Sequence, residues 1–327
     1  MAVVVRIPLD EGAHVFAEAA RVVGPHVHRT PLLGSRLLGE RTGFEVRLKA
    51  ELLQRTGSYK IRGPLNKLRL LDEEERRRGV ICSSAGNHAQ GVALAARIHG
   101  IPATVVMAEN ATRSKIEATK AYGAEVVLHG SIWDEADAHA RRLVEEHGYT
   151  YVHPFDDFDL MVGQGTVGWE LYHDWPEVDV AVVPIGGGGL ISGVSMALKS
   201  LNPGIRIIGV ESAGAPAMAR SLEAGERVTL ERADCAIDGL KVLRVGEKTF
   251  EVVRRCVEQV VTLPDEAIFD AMLWTWQHTK LTVEGAAAAP VAALLHGLVD
   301  ADAGARVACI LSGGNVDLEQ LKGRTWN

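Results

Sequence analysis

The chain has 327 residues, 47% hydrophobic and 24% charged, which is the balance of a globular protein with room for two lobes. A formal net charge of -7 leaves no electrostatic footprint for nucleic acid, and no apolar run approaches the length of a bilayer span. Segment 1–6 is too short for the apolar core of a signal peptide. Cys82, Cys235, Cys256 and Cys309 show neither CxxC nor Cys/His metal spacing, so reduced thiols are expected. The expectation is a soluble cytoplasmic protein without a nucleic-acid or membrane partner.

Short β-branched runs alternate with helical patterns along the chain. Val80–Ser83 reads as a strand, Asn87–His99 as a helix stopped by Gly100 and Pro102, and Ala103–Met107 as the next strand. Helix 112–122, strand Glu125–Leu128, helix 132–147 and strand 150–153 continue the alternation. A second series has strand 178–184, helix 190–201 and strand 205–211. Helices near 265–280 and 284–298 precede a final strand at 307–311. Such alternation predicts parallel sheets with helical crossovers. The stretch 154–159 reads as the lobe junction.

Ligands in such sheets bind beyond the carboxyl ends of strands. Four segments suit one ligand. Ser58-Tyr59-Lys60-Ile61-Arg62-Gly63 places a lysine beside an aromatic ring and a glycine, as a Schiff-base lysine could use. Ser84-Ala85-Gly86-Asn87-His88 opens a helix with small residues, and its backbone N–H groups suit a carboxylate. Gly186, Gly187, Gly188 and Gly189 follow a strand and permit close approach of an anion. Ser312-Gly313-Gly314-Asn315 follows the last strand, where a serine can hydrogen-bond a ring nitrogen. Each segment also has a plainer reading as a structural lysine, a capped helix or a turn. The glycine run stays open between a phosphate monoester and a dinucleotide, because Gly187-x-Gly189-x-x-Ser192 with Glu211 nearly matches the dinucleotide fingerprint. Together, the four segments point to pyridoxal phosphate carrying an amino acid.

From His28-Arg29-Thr30-Pro31-Leu32 to about Leu318, the chain resembles the fold-type II pyridoxal-phosphate enzymes, within them the threonine/serine dehydratase and serine racemase group. The resemblance implies a tryptophan synthase β-like α/β fold. Two open parallel-sheet lobes, 1–72 with 156–327 (large, cofactor-binding) and 73–155 (small, mobile), would hold the site between them. It implies Lys60 as the Schiff-base lysine, Tyr59 and Gly239 on opposite faces of the cofactor, and Asn87 facing its phenolic oxygen. Gly186, Gly187, Gly188, Gly189 and Leu190 would hold the phosphate, and Ser312 the ring nitrogen. Ser84, Ala85, Gly86, Asn87 and His88 would form the substrate loop. His153-Pro154-Phe155-Asp156 and Gly163-Gln164-Gly165-Thr166 are further matching segments.

Some positions depart from the pattern. Glu211 matches a cation-site glutamate, but Ala217 stands where the divalent-ion subgroup carries an acid, leaving a monovalent or carbonyl-rich site open. Ala85 stands where racemase-like members carry a serine. The chain ends soon after the Ser312 loop, so no regulatory domain is expected. The implied activity is elimination of ammonia from L-threonine to 2-oxobutanoate and from L-serine to pyruvate, by a homodimer or homotetramer. Serine racemase is the alternative within the fold. A nicotinamide-dependent dehydrogenase and a non-catalytic amino-acid sensor are the alternatives outside that chemistry.

Overall fold

The computed structural model describes residues 8–316; segment 1–6 and Leu318, considered above, lie outside them. Among the described residues ten strands form two sheets: β1 (Leu32–Gly34), β2 (Glu45–Ala50), β3 (Val80–Ser83), β4 (Ala103–Met107), β5 (Glu125–Leu128), β6 (Thr150–Tyr151), β7 (Val180–Pro184), β8 (Arg206–Ser212), β9 (Gln259–Leu263) and β10 (Arg306–Leu311). The larger sheet has the order β1-β2-β10-β7-β8-β9 and the smaller β5-β4-β3-β6. Every pairing is parallel except β1 with β2. Strands with helices on both faces must be apolar throughout, and every residue of β3, β4 and β7 is buried.

The alternating units stand where the sequence pattern puts them. Helix 112–122 is observed as Arg113–Ala121, helix 132–147 as Trp133–His147, and strand 205–211 as Arg206–Ser212. Strand 150–153 is paired only over Thr150–Tyr151. Three strands escape the periodicity. In β2 the sequence Glu-Val-Arg-Leu-Lys-Ala looks like a solvated face, yet Lys49 is fully buried among ionic partners. β1 and β9 lie at the sheet edges, where burial is partial and the apolar signal is weak. Helix Phe158–Asp174 is also hidden, by the glycines of its Gly-Gln-Gly-Thr stretch. Those glycines are there for packing. A Cβ on Gly165 would stand 2.8 Å from the Gly193 carbonyl oxygen, so this helix and Gly189–Leu201 touch backbone to backbone.

Helix Gly285–Leu295 is buried along almost its whole length and lies against β7, β8 and β10. Its alanines are buried, and Glu284, just before it, donates its N–H to the Gly313 carbonyl in the turn after β10. The lysine segment is anchored from beneath. Arg62, fully buried, donates from Nε and Nη2 to the two oxygens of Glu51, both at 2.8 Å. It also donates to Glu170, at 2.7 and 3.0 Å, and to Thr166 Oγ1 at 3.2 Å. Lys49 Nζ completes the cluster, reaching Glu170 at 2.7 Å and the Thr30 carbonyl at 2.8 Å. Burial pushes the Glu170 carboxyl up, but the Arg62 guanidinium and Lys49 ammonium outweigh it and hold it below its ordinary value.

Removing Arg62 would leave two carboxylates buried without their main partner. Arg62→Ala is therefore expected to lower stability by about 3–5 kcal/mol, read from the midpoint of urea unfolding. A loss within about 1 kcal/mol would show that Lys49 alone satisfies the acids.

Candidate active site

The ends of β7 and β10 open onto one cleft, which the first residue of helix Asn87–His99 also lines. Tyr59, Lys60, Asn87, Pro184, the four glycines 186–189, Leu190, Gly239 and Ser312 line it, together with Phe155, Leu240, Glu284 and Ala286. The lysine segment is held against the loop after β10. Tyr59 N–H donates to the Ser312 carbonyl at 3.1 Å, Gly314 N–H to the Gly57 carbonyl at 2.8 Å, and Ser58 pairs with Gly313 as an isolated bridge. Asn315 Nδ2 donates to the Thr56 carbonyl at 2.8 Å. These bonds fix the backbone of Lys60 relative to Ser312.

Lys60 Nζ donates to the Pro154 carbonyl at 3.0 Å and lies 5.4 Å from the Tyr59 ring centroid. Loss of water around the amine pulls its pKa down to about 8, against the opposing pull of Glu284. Burial pushes the Tyr59 phenol up, so it is neutral. From the side of the smaller sheet, helix Asn87–His99 packs directly on this segment: a Cβ on Gly91 would stand 2.6 Å from the Lys60 carbonyl oxygen.

The glycine turn joins β7 to helix Gly189–Leu201. Gly188 has φ +95°, which an L side chain rarely adopts, and a Cβ there would stand 2.8 Å from Thr249. A Cβ on Gly187 would stand 2.2 Å from the Phe155 ring. Thr249 Oγ1 donates to the Gly187 carbonyl at 2.8 Å. Asp156, next to Phe155, accepts from the N–H groups of Glu247, Lys248 and Thr249 at 3.1, 2.8 and 3.2 Å. The chain leaving the small sheet is thus tied to the wall of the turn.

Of the residues singled out from the sequence, Ser84, Ala85, Gly86 and His88 are not in the lining of the cleft, although Asn87 is. Ser84 Oγ accepts from Gly86 N–H at 3.2 Å, and Ala85 packs on the core of the small sheet. The His88 ring turns inward, its Nε2 2.9 Å from the Val152 carbonyl, and burial lowers its pKa to about 3. A neutral, inward imidazole leaves its backbone N–H as the group it can offer. Glu211 lies away from the cleft and caps a helix, accepting from Met218 and Ala219 N–H groups, each at 2.8 Å. That use of the carboxylate removes the ribose partner from the dinucleotide fingerprint. Among the described residues no group of three or more His, Cys, Asp and Glu could hold a metal ion.

Glu284 is the residue that the sequence analysis missed. Its carboxylate accepts from Asn87 Nδ2 at 2.8 and 3.0 Å, and desolvation raises its pKa to about 7 against the lowering effect of Asn87. The visible signal was only an acid before an alanine run, which reads as the first turn of a helix.

The chain matches the family described as pyridoxal-phosphate dependent enzyme over residues 23–313. It is 50% identical over 304 residues to an L-threonine ammonia-lyase of Thermotoga maritima, covering 93% of this chain and 75% of that one. Its fold superimposes on maize serine racemase with a TM-score of 0.90, at 39% identity and 95% coverage of each chain. The processed threonine deaminase isoform 2 of Solanum lycopersicum gives 0.90 at 36% identity, covering 95% and 92%.

The donor set fits pyridoxal phosphate: a primary amine for its aldehyde, a glycine turn opening a helix for its phosphate, and a hydroxyl for its ring nitrogen. A side chain in the turn would close that fit. Gly188→Val is expected to lower cofactor occupancy sharply, measured by titrating the apoprotein with pyridoxal phosphate. Unchanged occupancy would place the phosphate elsewhere.

Proposed function

From the chain's membership of the pyridoxal-phosphate dependent enzymes, we infer that it is an L-threonine ammonia-lyase. It converts L-threonine to 2-oxobutanoate and ammonia, and L-serine to pyruvate and ammonia. The observation that carries this reading is the meeting of Lys60, the glycine turn and Ser312 in one cleft, in a chain half identical to an L-threonine ammonia-lyase.

Bound pyridoxal phosphate supplies an electron sink that acidifies the Cα–H bond of an attached amino acid. In our reading Lys60 holds the cofactor covalently through Nζ and then takes the Cα proton. Its desolvated amine, with a pKa near 8, is a competent base close to neutral pH. The N–H groups of the glycine turn hold the phosphate at the start of helix Gly189–Leu201, where the helix dipole also favours an anion. Ser312 would donate a hydrogen bond to the ring nitrogen without protonating it as a carboxylic acid would. Tyr59 and Gly239 would flank the ring, and Asn87 would be the side chain offered to its phenolic oxygen. The backbone of Ser84, Ala85, Gly86 and His88 receives the substrate carboxylate.

We further propose that 73–155 moves as a small lobe against the rest of the chain. The supporting feature is its separate four-stranded sheet. A cytoplasmic setting agrees with four buried, free cysteines. No helix of the described residues is long and apolar enough to cross a membrane. A homodimer or homotetramer would cover exposed apolar residues such as Trp276, and sedimentation tests it. A monovalent cation near Glu211 is the ion we would test first.

Two outcomes are expected. Lys60→Ala loses the visible band of the bound cofactor and several orders of magnitude in 2-oxo acid release. Borohydride fixation followed by peptide mapping should label Lys60; a label on another lysine overturns the assignment. L-Serine should yield pyruvate with little D-serine, because Ala85 has no exchangeable proton to return to Cα, and Ala85→Ser should raise the racemised fraction. Comparable rates of D-serine and pyruvate from the unaltered protein would favour racemase.

A further inference from the structure

Glu284 stands immediately before helix Gly285–Leu295, its own N–H bonded to the Gly313 carbonyl at 3.0 Å. That bond ties it to the turn following Ser312. Its side-chain oxygen Oε1 lies 2.6 Å from where a Cβ on Gly313 would stand. Both oxygens accept from the single amide nitrogen of Asn87. Asn87 Oδ1 accepts in turn from Asn315 Nδ2 at 2.7 Å. The carboxylate is thereby aimed and held, with lone pairs left over on the cleft side.

An α-amino acid reaches the cleft mostly as an ammonium ion, which has no lone pair with which to attack a carbon centre. Something must take one proton first. Lys60 cannot, because its nitrogen is the point at which the cofactor is attached. The other lining groups are also unsuited. The Tyr59 phenol is neutral and its pKa is raised, Ser312 is a hydroxyl, Asn87 is an amide, and His88 points away toward Val152. Asp238 lies at the rim, where it meets Lys115 at 3.3 Å.

We propose that Glu284 is the proton acceptor for the ammonium group of the incoming amino acid. One N–H bond breaks and one O–H bond forms, so an ammonium and a carboxylate become a neutral amine and a carboxylic acid. The acid then releases its proton to water and is ready for the next substrate. This proposal rests on the reading of the cleft as an amino-acid site. The charged and titratable groups that face Glu284 are Lys60 and Tyr59 from the lysine segment, Lys115 from helix Arg113–Ala121 and Asp238 from the loop before Gly239. Their balance, with desolvation dominant, leaves the carboxyl titrating at about 7, where it can both accept and release a proton.

The test uses the cofactor-loaded protein and two amines. L-Alanine is an amino acid without a β-leaving group, and hydroxylamine is already neutral at pH 7.5. Each is mixed rapidly with the protein, and the rate of change of the visible cofactor band is followed. Glu284→Gln keeps an acceptor for Asn87 but cannot take a proton. It should slow the response to L-alanine by about 100-fold and leave the hydroxylamine response unchanged. Its affinity for pyridoxal phosphate, titrated into the apoprotein, should also be unchanged, and Glu284→Asp should recover part of the L-alanine rate. Equal slowing with both amines, or slowing with neither, overturns the proposal.

The unaltered protein provides a test that depends on no variant. Its L-alanine rate should rise with pH and level off above about pH 7.5, because a carboxylate then does the deprotonation. A rise that continues in proportion to hydroxide up to about pH 9.5 would mean that only pre-formed neutral amine reacts, and would overturn it. If the unaltered protein responds to neither amine, the cleft reading fails, which is distinct from a failure of Glu284 alone.

Discussion

Arg62 is the residue on which the site's geometry rests. It stands two positions after Lys60, and its guanidinium is buried between Glu51, at the end of β2, and Glu170, in helix Phe158–Asp174. A guanidinium in such a place is tolerable only when every donor finds an acceptor, and here two carboxylates and Thr166 supply them. Lys49 balances the second acid. Because these bonds are directional and their rupture is expensive, they define one position for the start of helix Arg62–Arg69. The lysine just before that helix inherits the position. Buried ionic clusters are weak sources of stability compared with apolar packing, but they discriminate strongly among arrangements.

On that anchor the cleft is assembled from distant parts of the chain. The lysine segment is joined by backbone bonds to the turn after β10, some 250 residues later. The small sheet reaches the same place through helix Asn87–His99, whose Gly91 admits the Lys60 carbonyl, and through Asn87, whose amide is shared with Glu284 and Asn315. Phe155 and Asp156 tie the return crossing to the glycine turn and to helix Glu247–Cys256. The result brings an amine, a carboxylate and a glycine turn together in one half-buried cleft. Desolvation there drives the ammonium of Lys60 and the carboxyl of Glu284 toward the same neutral range, from opposite sides.

Much of this was legible from residues alone. Periodicity located the strands that are buried on both faces, because such strands must be apolar throughout, as in β3, β4 and β7. The glycine run and the Ser312 loop stand out because each puts unusual residues just past a strand end, and the Lys60 segment because it sets a lysine beside an aromatic ring and a glycine. Periodicity failed where burial is achieved by pairing. β2 carries Glu45, Arg47 and Lys49, and only the three-dimensional partners of Lys49 show that it is a core strand. Helix Phe158–Asp174 was missed because its glycines, poor in propensity, are there for contact with Gly193.

The sequence by itself determined the chemical vocabulary of the site: which lysine, which anion-binding turn and which hydroxyl are available, since these follow from residue type and local backbone freedom. Tertiary structure decided which way each group faces and what surrounds it. It turned His88 into the core, used Glu211 to cap a helix, and brought Glu284 onto Asn87 in the cleft that Lys60 lines. Orientation and desolvation depend on which segments meet in space, from seven residues apart at Glu211 to 197 at Glu284, and residue type alone does not encode those meetings.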